Sequence, residues 1–469
     1  MKNSKLKRNL IIIFSVIIIL AIIIIVLYNI TDIFRTKRSA FFRYFNQIEN
    51  YLDVLEMPEN YKKYEKTKQT SAYTKNGEMT INNSKNIADE SILSKIKLTL
   101  SEKTDPQNEK SNTEIAIKSL NRELFTGEFI RDKNIFGFYE PQIADGYITL
   151  RNENLTELAK NMEIENADKV PSKLIGIDID KILNLSEVEE KHIESYIKMI
   201  RNNVADTAYS REKKVKINIE GKKYETTAYT LTLNPEQNSS LQIDILEKMK
   251  SDSIMMNLIT SKCKLLNMTG FCIDINSLNK MMQERIQKLK NNPELAGNFA
   301  ITLYEYKQKN IQTKIVLNEK EYTLSHLKED DKETVIGTKK DKELIESFEL
   351  RKENEKHILK YEKKENDFIK VAEFAYNITG SVEENNVENH LTIKIIDDIK
   401  EIEFNYNDKV NFTNSVGLLK SITDEKTAVI NDYEPEYAKE FVELVKKQIN
   451  NVYINQGASI GINLEPIFN

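Results

Sequence analysis

The chain has 469 residues, of which 30% are charged and 40% hydrophobic, so most of it has the composition of a folded globular protein. The formal net charge is −5, but residues 1–43 hold eight Lys or Arg against one Asp, a net +7, which leaves −12 for residues 44–469. An acidic body repels phosphate backbones, so no nucleic-acid partner is expected.

The first element in chain order is an apolar run, Leu10–Leu27, with one hydroxyl and no charge. At 1.5 Å per residue it spans about 27 Å, close to the hydrocarbon thickness of a bilayer. No small-residue cleavage site follows it, so we predict an uncleaved single-pass transmembrane anchor over residues 10–28, which makes the lipid bilayer a partner.

The orientation of this anchor is set by the basic tail that precedes it. Residues 1–9 carry four Lys or Arg, and a further four basic residues follow the run, so the two flanks are nearly balanced. We predict a cytoplasmic tail over residues 1–9 and an extracytoplasmic domain in a bacterial cell membrane. The alternative is a tail-first insertion that leaves the domain in the cytosol.

Two short segments follow the anchor. In residues 39–56, apolar and aromatic side chains recur every three or four positions, which predicts an amphipathic helix that packs on the domain, forms its stalk or lies on the membrane. Residues 57–90 are polar and rich in Lys, Thr and Asn, and they are predicted to be a loosely ordered connection.

The remaining residues, 91–469, predict one α+β domain. Short alternating strands begin near Ile96, helices are expected at about 186–208, 235–266, 277–290 and 435–453, and charged turns every 8 to 13 residues after Asn298 indicate a long antiparallel meander. We therefore expect a large, curved antiparallel sheet, like a half-barrel, covered by helices. A division into two sub-lobes, about 91–234 and 235–469, is left open.

Two stretches carry a resemblance to known proteins: YETTAYTLTLNPEQ at 224–237, which leads into ILEKMKSDSIMMNLI at 245–259, and the meander over 298–378. The arrangement resembles the half-barrel of lipoprotein carriers of the LolA and LppX type, and the whole chain resembles uncharacterised single-pass membrane proteins of clostridia. The resemblance implies a lipid or other apolar ligand held in the half-barrel. This chain lacks an acylated cysteine near its start, unlike the lipoprotein members.

Side chains on the predicted covering helices are the candidates for such a groove. Flexible thioethers suit an adaptable apolar pocket, and they equally suit ordinary core filling. The groove candidates are Met249, Met255, Leu258 and Met281.

No catalytic, metal or cofactor motif has the sequence context that its chemistry requires, so we expect a non-catalytic protein without a cofactor. Gly457-Ala458-Ser459-Ile460-Gly461 fits G-x-S-x-G, but a helix precedes it and no histidine follows it, which excludes a nucleophile elbow. Glu189 and His192 lack the further ligands of a di-iron site, and Asp178 with Asp180 forms too small a set for calcium. Cys263 and Cys272 could form a local disulfide or remain two buried thiols.

The leading hypothesis is a membrane-anchored protein that binds an apolar, lipid-like ligand in a half-barrel groove. The rival is a structural or assembly protein of the cell envelope that acts through protein–protein contacts. A third hypothesis is an enzyme without a readable motif. They predict, respectively, a continuous dry groove, an exposed apolar patch, and a cleft with clustered titratable groups.

Overall fold

The computed structural model describes residues 36–86, 90–120, 122–164, 167, 170–173, 186–265, 275–341, 344–366, 368–417, 419–420, 422, 428–460 and 465–466. The tail and anchor predicted over residues 1–28 lie outside them. Across the described ranges, no helix is both long enough and apolar enough to cross a membrane.

The architecture is α+β, with helices and a large, predominantly antiparallel sheet, as the sequence predicted. The chain forms two compact units, and each is built from segments that are far apart in sequence. The first comprises the described residues up to Glu56, those from 186 to 352, and 363–366; the second comprises 57–173, 353–362 and those from 368 onward. This division differs from sub-lobes at 91–234 and 235–469, because the N-terminal segment packs with residues that follow it by more than 150 positions.

The first unit combines a meander with helices that cover it. The helices are α1 (Lys37–Phe45), a 3-10 helix η1 (Asn46–Leu55), α5 (Glu187–Asn203), α6 (Pro235–Ser251), α7 (Ser253–Leu265) and α8 (Ile275–Asn291). The strands are β7 (Tyr209–Ile219), β8 (Lys222–Leu233), β9 (Phe299–Tyr306), β10 (Lys309–Leu317), β11 (Lys320–Glu329), β12 (Lys332–Asp341) and β13 (Leu344–Glu353). Strands β7 to β12 pair antiparallel in the order β7, β8, β9, β10, β11, β12.

The segment predicted as one amphipathic helix over 39–56 forms α1 and η1, and its aromatic side chains lie in the core of the first unit. Thr36 starts α1, because its hydroxyl accepts a hydrogen bond from the backbone N–H of Ser39 at 3.2 Å. Further along, the buried hydroxyl of Tyr51 donates to the carbonyl of Asn310 at 3.1 Å. The buried members of this segment are Phe41, Phe42, Tyr44, Phe45, Ile48, Tyr51 and Val54.

The second unit contains the longest run of adjacent strands. The strands are β1 (Ala72–Lys85), β2 (Ile96–Asp105), β3 (Lys110–Ser119), β4 (Arg122–Asp132), β5 (Ile135–Tyr139), β6 (Ile148–Arg151), β14 (Lys356–Glu365, of which 356–362 belong to this unit), β15 (Phe368–Ser381), β16 (Asn386–Asp397), β17 (Lys400–Thr413) and β18 (Ala428–Val429). Their pairings run in the order β15, β16, β17, β1, β2, β3, β4, β5, β6, all antiparallel, and the two-residue strand β18 pairs parallel with β6. The helices are α2 (Glu59–Thr70), α3 (Glu90–Leu93), α4 (Leu155–Asn161) and α9 (Pro435–Ser459).

The prediction of a loosely ordered connection over 57–90 is wrong. Residues Glu59–Thr70 form helix α2, and Ala72–Lys85 form the 14-residue strand β1. β1 is polar, yet it lies between β17 and β2, and its backbone N–H and C=O groups pair on both sides. The ladder hydrogen bonds come from the backbone, so a central strand needs little apolar sequence when one of its faces is wet.

Replacing Ile48 by Ala should lower the free energy of unfolding by about 2–5 kcal/mol, because the change leaves a cavity in the core of the first unit. Ile48 is 2% exposed, whereas Ile275, in the same unit, is 40% exposed. The matched Ile275→Ala variant should change the free energy by less than about 1 kcal/mol. Chemical denaturation of the full chain measures both values, and equal losses would contradict the packing of the N-terminal segment described above.

Candidate functional site

One face of the sheet in the second unit is apolar across seven adjacent strands. Directly paired residues in an antiparallel ladder point to the same face, so the register identifies its members. A single row runs across all seven strands: Tyr376, Leu391, Tyr406, Met79, Leu98, Ile117 and Phe125.

Parallel rows widen this surface, which we call the apolar face. In one of them Phe374 is paired with Ile393, which is paired with Phe404 and then Ile81. The remaining members defined by register or by two-residue alternation are Ile395, Ile402, Leu100, Ile115 and Phe129.

The opposite face of these strands is mostly polar from β16 to β3. Lys394, between Ile393 and Ile395 in β16, places its Nζ 2.8 Å from a carboxylate oxygen of Glu401. Two strands away, Lys97 pairs with Glu78 at 2.5 Å. The alternation of apolar and polar residues therefore gives this sheet one wet side and one dry side.

The dry side is only partly covered. Phe374 is 41% exposed and Ile395 is 43% exposed, and the other members are half-buried or more exposed. In the first unit, by contrast, helices cover the sheet and Leu303 of β9 is fully buried. An exposed apolar surface of this extent is typical of a binding site.

Helix α2 packs at one end of this dry side. Tyr64 of the helix lies in a buried cluster with Tyr73, Ile378, Val387 and Val410. These four strand residues are an even number of positions from Met79, Tyr376, Leu391 and Tyr406, so they lie on the same side of the sheet as the apolar face. The apolar face therefore adjoins a small closed core, and its own members extend away from the helix.

A group of hydrogen-bonded side chains, which we call the polar belt, lies between the closed core and the apolar face. The carboxylate of Asp408 accepts a hydrogen bond from Nδ2 of Asn389 at 2.7 Å and lies 3.3 Å from Nζ of Lys75. The hydroxyl of Tyr376 donates to Oδ1 of Asn389 at 2.7 Å, and Nδ2 of that amide lies 3.3 Å from the hydroxyl of Tyr64. The Asp408 side chain is 3% exposed, so this ion pair is nearly dry.

The protonation states in the polar belt follow from burial and from this ion pair. Burial, with a further contribution from the Asp408 carboxylate, raises the pKa of Tyr64 and Tyr376 above the usual tyrosine value, so both hydroxyls keep their protons. Burial alone would lower the pKa of Lys75, but the carboxylate of Asp408 and the hydroxyl of Tyr406 raise it overall.

Glu102 extends the polar belt to β2. Its Oε1 accepts hydrogen bonds from the hydroxyl of Tyr73 at 2.7 Å and from that of Thr104 at 2.8 Å. Nearby, the ring of Tyr406 lies over Gly77, where an added Cβ would be 2.5 Å from the tyrosine hydroxyl. A glycine at position 77 thus leaves the space that this ring occupies.

The groove candidates from the sequence lie elsewhere. Met249, Met255 and Leu258 are buried in the helix-covered core of the first unit, and Met281 is partly buried on α8. The first three therefore act as core side chains, the alternative that the sequence left open. None of the four belongs to the apolar face.

The other residues singled out from the sequence do not assemble into a site. Glu189 forms a capping box with Ser186 at the start of α5, and His192 lies 3.9 Å from Asp252. Ser459 is the last residue of helix α9, which agrees with the rejection of a nucleophile elbow. Asp178, Asp180 and Cys272 lie outside the described residues, so the choice between a disulfide and two buried thiols stays open. Within the described part of the chain, no cluster of three or more metal-ligating side chains was found.

The comparisons with known proteins identify a family but no activity. The chain belongs to a family of unknown function, DUF6583, whose model matches residues 1–436. No curated protein matches the chain. Among solved structures it is similar to a chain described under "Asymmetric conductivity of engineered proteins" and to two mutants of Rh. blastica porin. All three are 7% identical over 73% of this chain and 99% of theirs, with a TM-score of 0.18, which supports no argument about fold or function.

Replacing Asp408 by Ala should lower the free energy of unfolding by about 3–5 kcal/mol, because it leaves Lys75 in the polar belt without its carboxylate partner. Asp397 is the matched control, since its ion pair with Lys370 at 3.2 Å is half exposed to solvent. The Asp397→Ala variant should lose less than about 1 kcal/mol. Chemical denaturation at neutral pH measures both, and a similar loss in the two variants would show that the belt is not a buried electrostatic centre.

Proposed function

We propose that this protein binds the acyl chain of an amphiphilic lipid on the apolar face, without catalysing a reaction on it. The observation that carries the proposal is the row of seven apolar side chains that crosses seven hydrogen-bonded strands, from Tyr376 to Phe125. Such a row offers a continuous dry path across the strands, which suits a long flexible hydrocarbon better than a compact ligand.

The chemistry of the lining supports this choice. Members of the apolar face are aliphatic or aromatic, and Lys394 and Glu401, which alternate with them in β16 and β17, lie on the opposite face. Covering each half-exposed Ile or Phe with hydrocarbon would contribute about 1 kcal/mol, from the area that it removes from water. The polar belt, whose members lie on β15, β16, β17, β1 and β2, runs alongside this path and places polar groups next to the apolar ones, as an amphiphile requires.

The anchor predicted from the sequence is part of this proposal, because it would bring the domain to a membrane, where lipids are available. In this proposal residues 10–28 hold the domain at the cell membrane, with the domain extracytoplasmic and the tail in the cytoplasm. The rival function is envelope assembly, in which another protein covers the apolar face. We favour the lipid because the rows of the apolar face between the belt and the Lys370–Asp397 pair hold no charged side chain, whereas protein interfaces intersperse polar groups with apolar ones.

Exposed members of the apolar face provide the test. The double variant Phe374→Asn, Ile395→Asn should weaken the binding of a fluorescent fatty acid at least about tenfold, because two of its apolar contacts are lost. The matched control is Tyr437→Asn, Ile399→Asn, which replaces exposed side chains outside the apolar face, 56% and 68% exposed, and should bind normally. The measurement is fluorescence titration of the full chain held in amphipol, with amphipol alone as the blank.

Three results of this titration are informative. Loss of affinity confined to the first variant would support the proposed site. Equal affinity in both variants and the unchanged chain would contradict it, and absence of saturable binding in the unchanged chain would contradict lipid binding altogether. In the last case, a protein cross-linked at position 395 in intact cells would favour the assembly role.

A further inference from the structure

Four arginines of the first unit each lie over an aromatic ring. Two belong to α1, one to α5 and one to β7, so segments far apart in sequence bring them to the same aromatic cluster. The distances from guanidinium carbon to ring centroid are 5.6 Å for Arg38 on Tyr209, 5.9 Å for Arg43 on Tyr44, 5.8 Å for Arg201 on Phe42 and 5.2 Å for Arg211 on Tyr229.

The rings beneath these arginines are themselves in contact. Phe42 and Tyr209 have centroids 6.0 Å apart, and Tyr44 and Tyr229 have centroids 5.1 Å apart. The arginines fall into the same two pairs by the tyrosine whose pKa they change. Burial raises the pKa of Tyr209 and of Tyr44; Arg38 and Arg201 oppose the rise at Tyr209, and Arg43 and Arg211 oppose it at Tyr44. We call Arg38, Arg43, Arg201 and Arg211 the arginine surface.

Part of the charge of the arginine surface is already offset. Asp206 is 2.8 Å from Nε of Arg38, and Nη2 of the same guanidinium donates to the carbonyl of Val204. After burial, the Glu305 carboxylate is the next contribution that raises the pKa of Tyr44, so a second carboxylate lies near Arg43 and Arg211. Lys37, the first residue of α1, is exposed and adds a further cation. Arg43 and Arg211 are exposed as well, although each keeps its aromatic contact.

The length of the intervening chain limits how far this surface can be from the bilayer. Nine residues separate Leu27, the end of the apolar run, from Lys37, the start of α1. Even fully extended, they reach no more than about 30 Å. If residues 10–28 span the membrane as predicted, α1 and the arginines around it are tethered beside the lipid headgroups.

We infer that the arginine surface docks on anionic phospholipid headgroups and thereby sets how the first unit lies on the membrane. Planar guanidinium groups bind phosphate oxygens through two parallel hydrogen bonds, and their stacking on rings fixes them in place before binding. The inference rests on the anchor in the proposed function. It is independent of lipid binding on the apolar face.

The test uses the full chain in nanodiscs of phosphatidylcholine, with or without about one-third phosphatidylglycerol. Hydrogen exchange of the backbone amides of Lys37–Phe45 should be several-fold slower in the anionic discs. This difference should disappear in the variant Arg43→Gln, Arg211→Gln, and at about 1 M salt, where charges are screened within about 3 Å. Both arginines are exposed, and unchanged exchange in α8 reports that the variant is folded.

A charge-matched control separates this surface from general attraction to the membrane. Lys280 and Lys288 are exposed on α8, and their replacement by Gln removes the same charge. This control should retain the slow exchange in anionic discs. Equal exchange in both kinds of disc, or an anionic effect that survives in the arginine variant, would overturn the inference. A chain that fails to remain in the discs would contradict the anchor and the inference together, whereas the fatty-acid titration would still report on the apolar face.

Discussion

The register of the antiparallel ladder from β15 to β4 is the constraint on which the second unit depends. Because side chains alternate between faces, a shift of one residue in any pairing would move that strand's apolar side chains to the wet side. The register instead aligns one apolar residue from each of seven strands in a single row. The ion pairs on the other face, such as that of Lys394 with Glu401, favour the same register.

The apolar side of the sheet is covered in the first unit and partly open in the second. In the first, an aromatic N-terminal segment and the helices α5 to α8 cover the sheet, and the core is filled. In the second, α2 packs against the end near Tyr73, and the polar belt separates that closed core from the half-exposed apolar face. A buried ion pair beside an open apolar surface contributes little net stability in itself. Its position beside a dry path suits recognition of the polar end of an amphiphile.

The sequence predicted the parts of this fold that depend on local pattern. Charged turns correctly placed two hairpins of the meander, where Lys307, Gln308, Asn318 and Glu319 adopt the left-handed conformation of two-residue turns. Neither β1 nor the apolar face was predicted. The polar sequence of β1 predicted a connection, and its main partner β17 lies more than 300 residues away along the chain. The alternation from Leu391 to Ile395 was the available signal, but only the pairing shows that seven strands share one face. The methionines were predicted as groove candidates because a flexible apolar side chain fits a pocket and a core equally well.

Native mass spectrometry of the full chain, purified in detergent from membrane-containing cells, tests the central claim most directly. We predict an added mass of lipid size, in a stoichiometric ratio, that is removed by organic extraction and is absent from the Phe374→Asn, Ile395→Asn variant. A mass equal to that of the chain alone before extraction, or an added lipid that the variant retains in full, would contradict the claim that the apolar face holds a lipid chain.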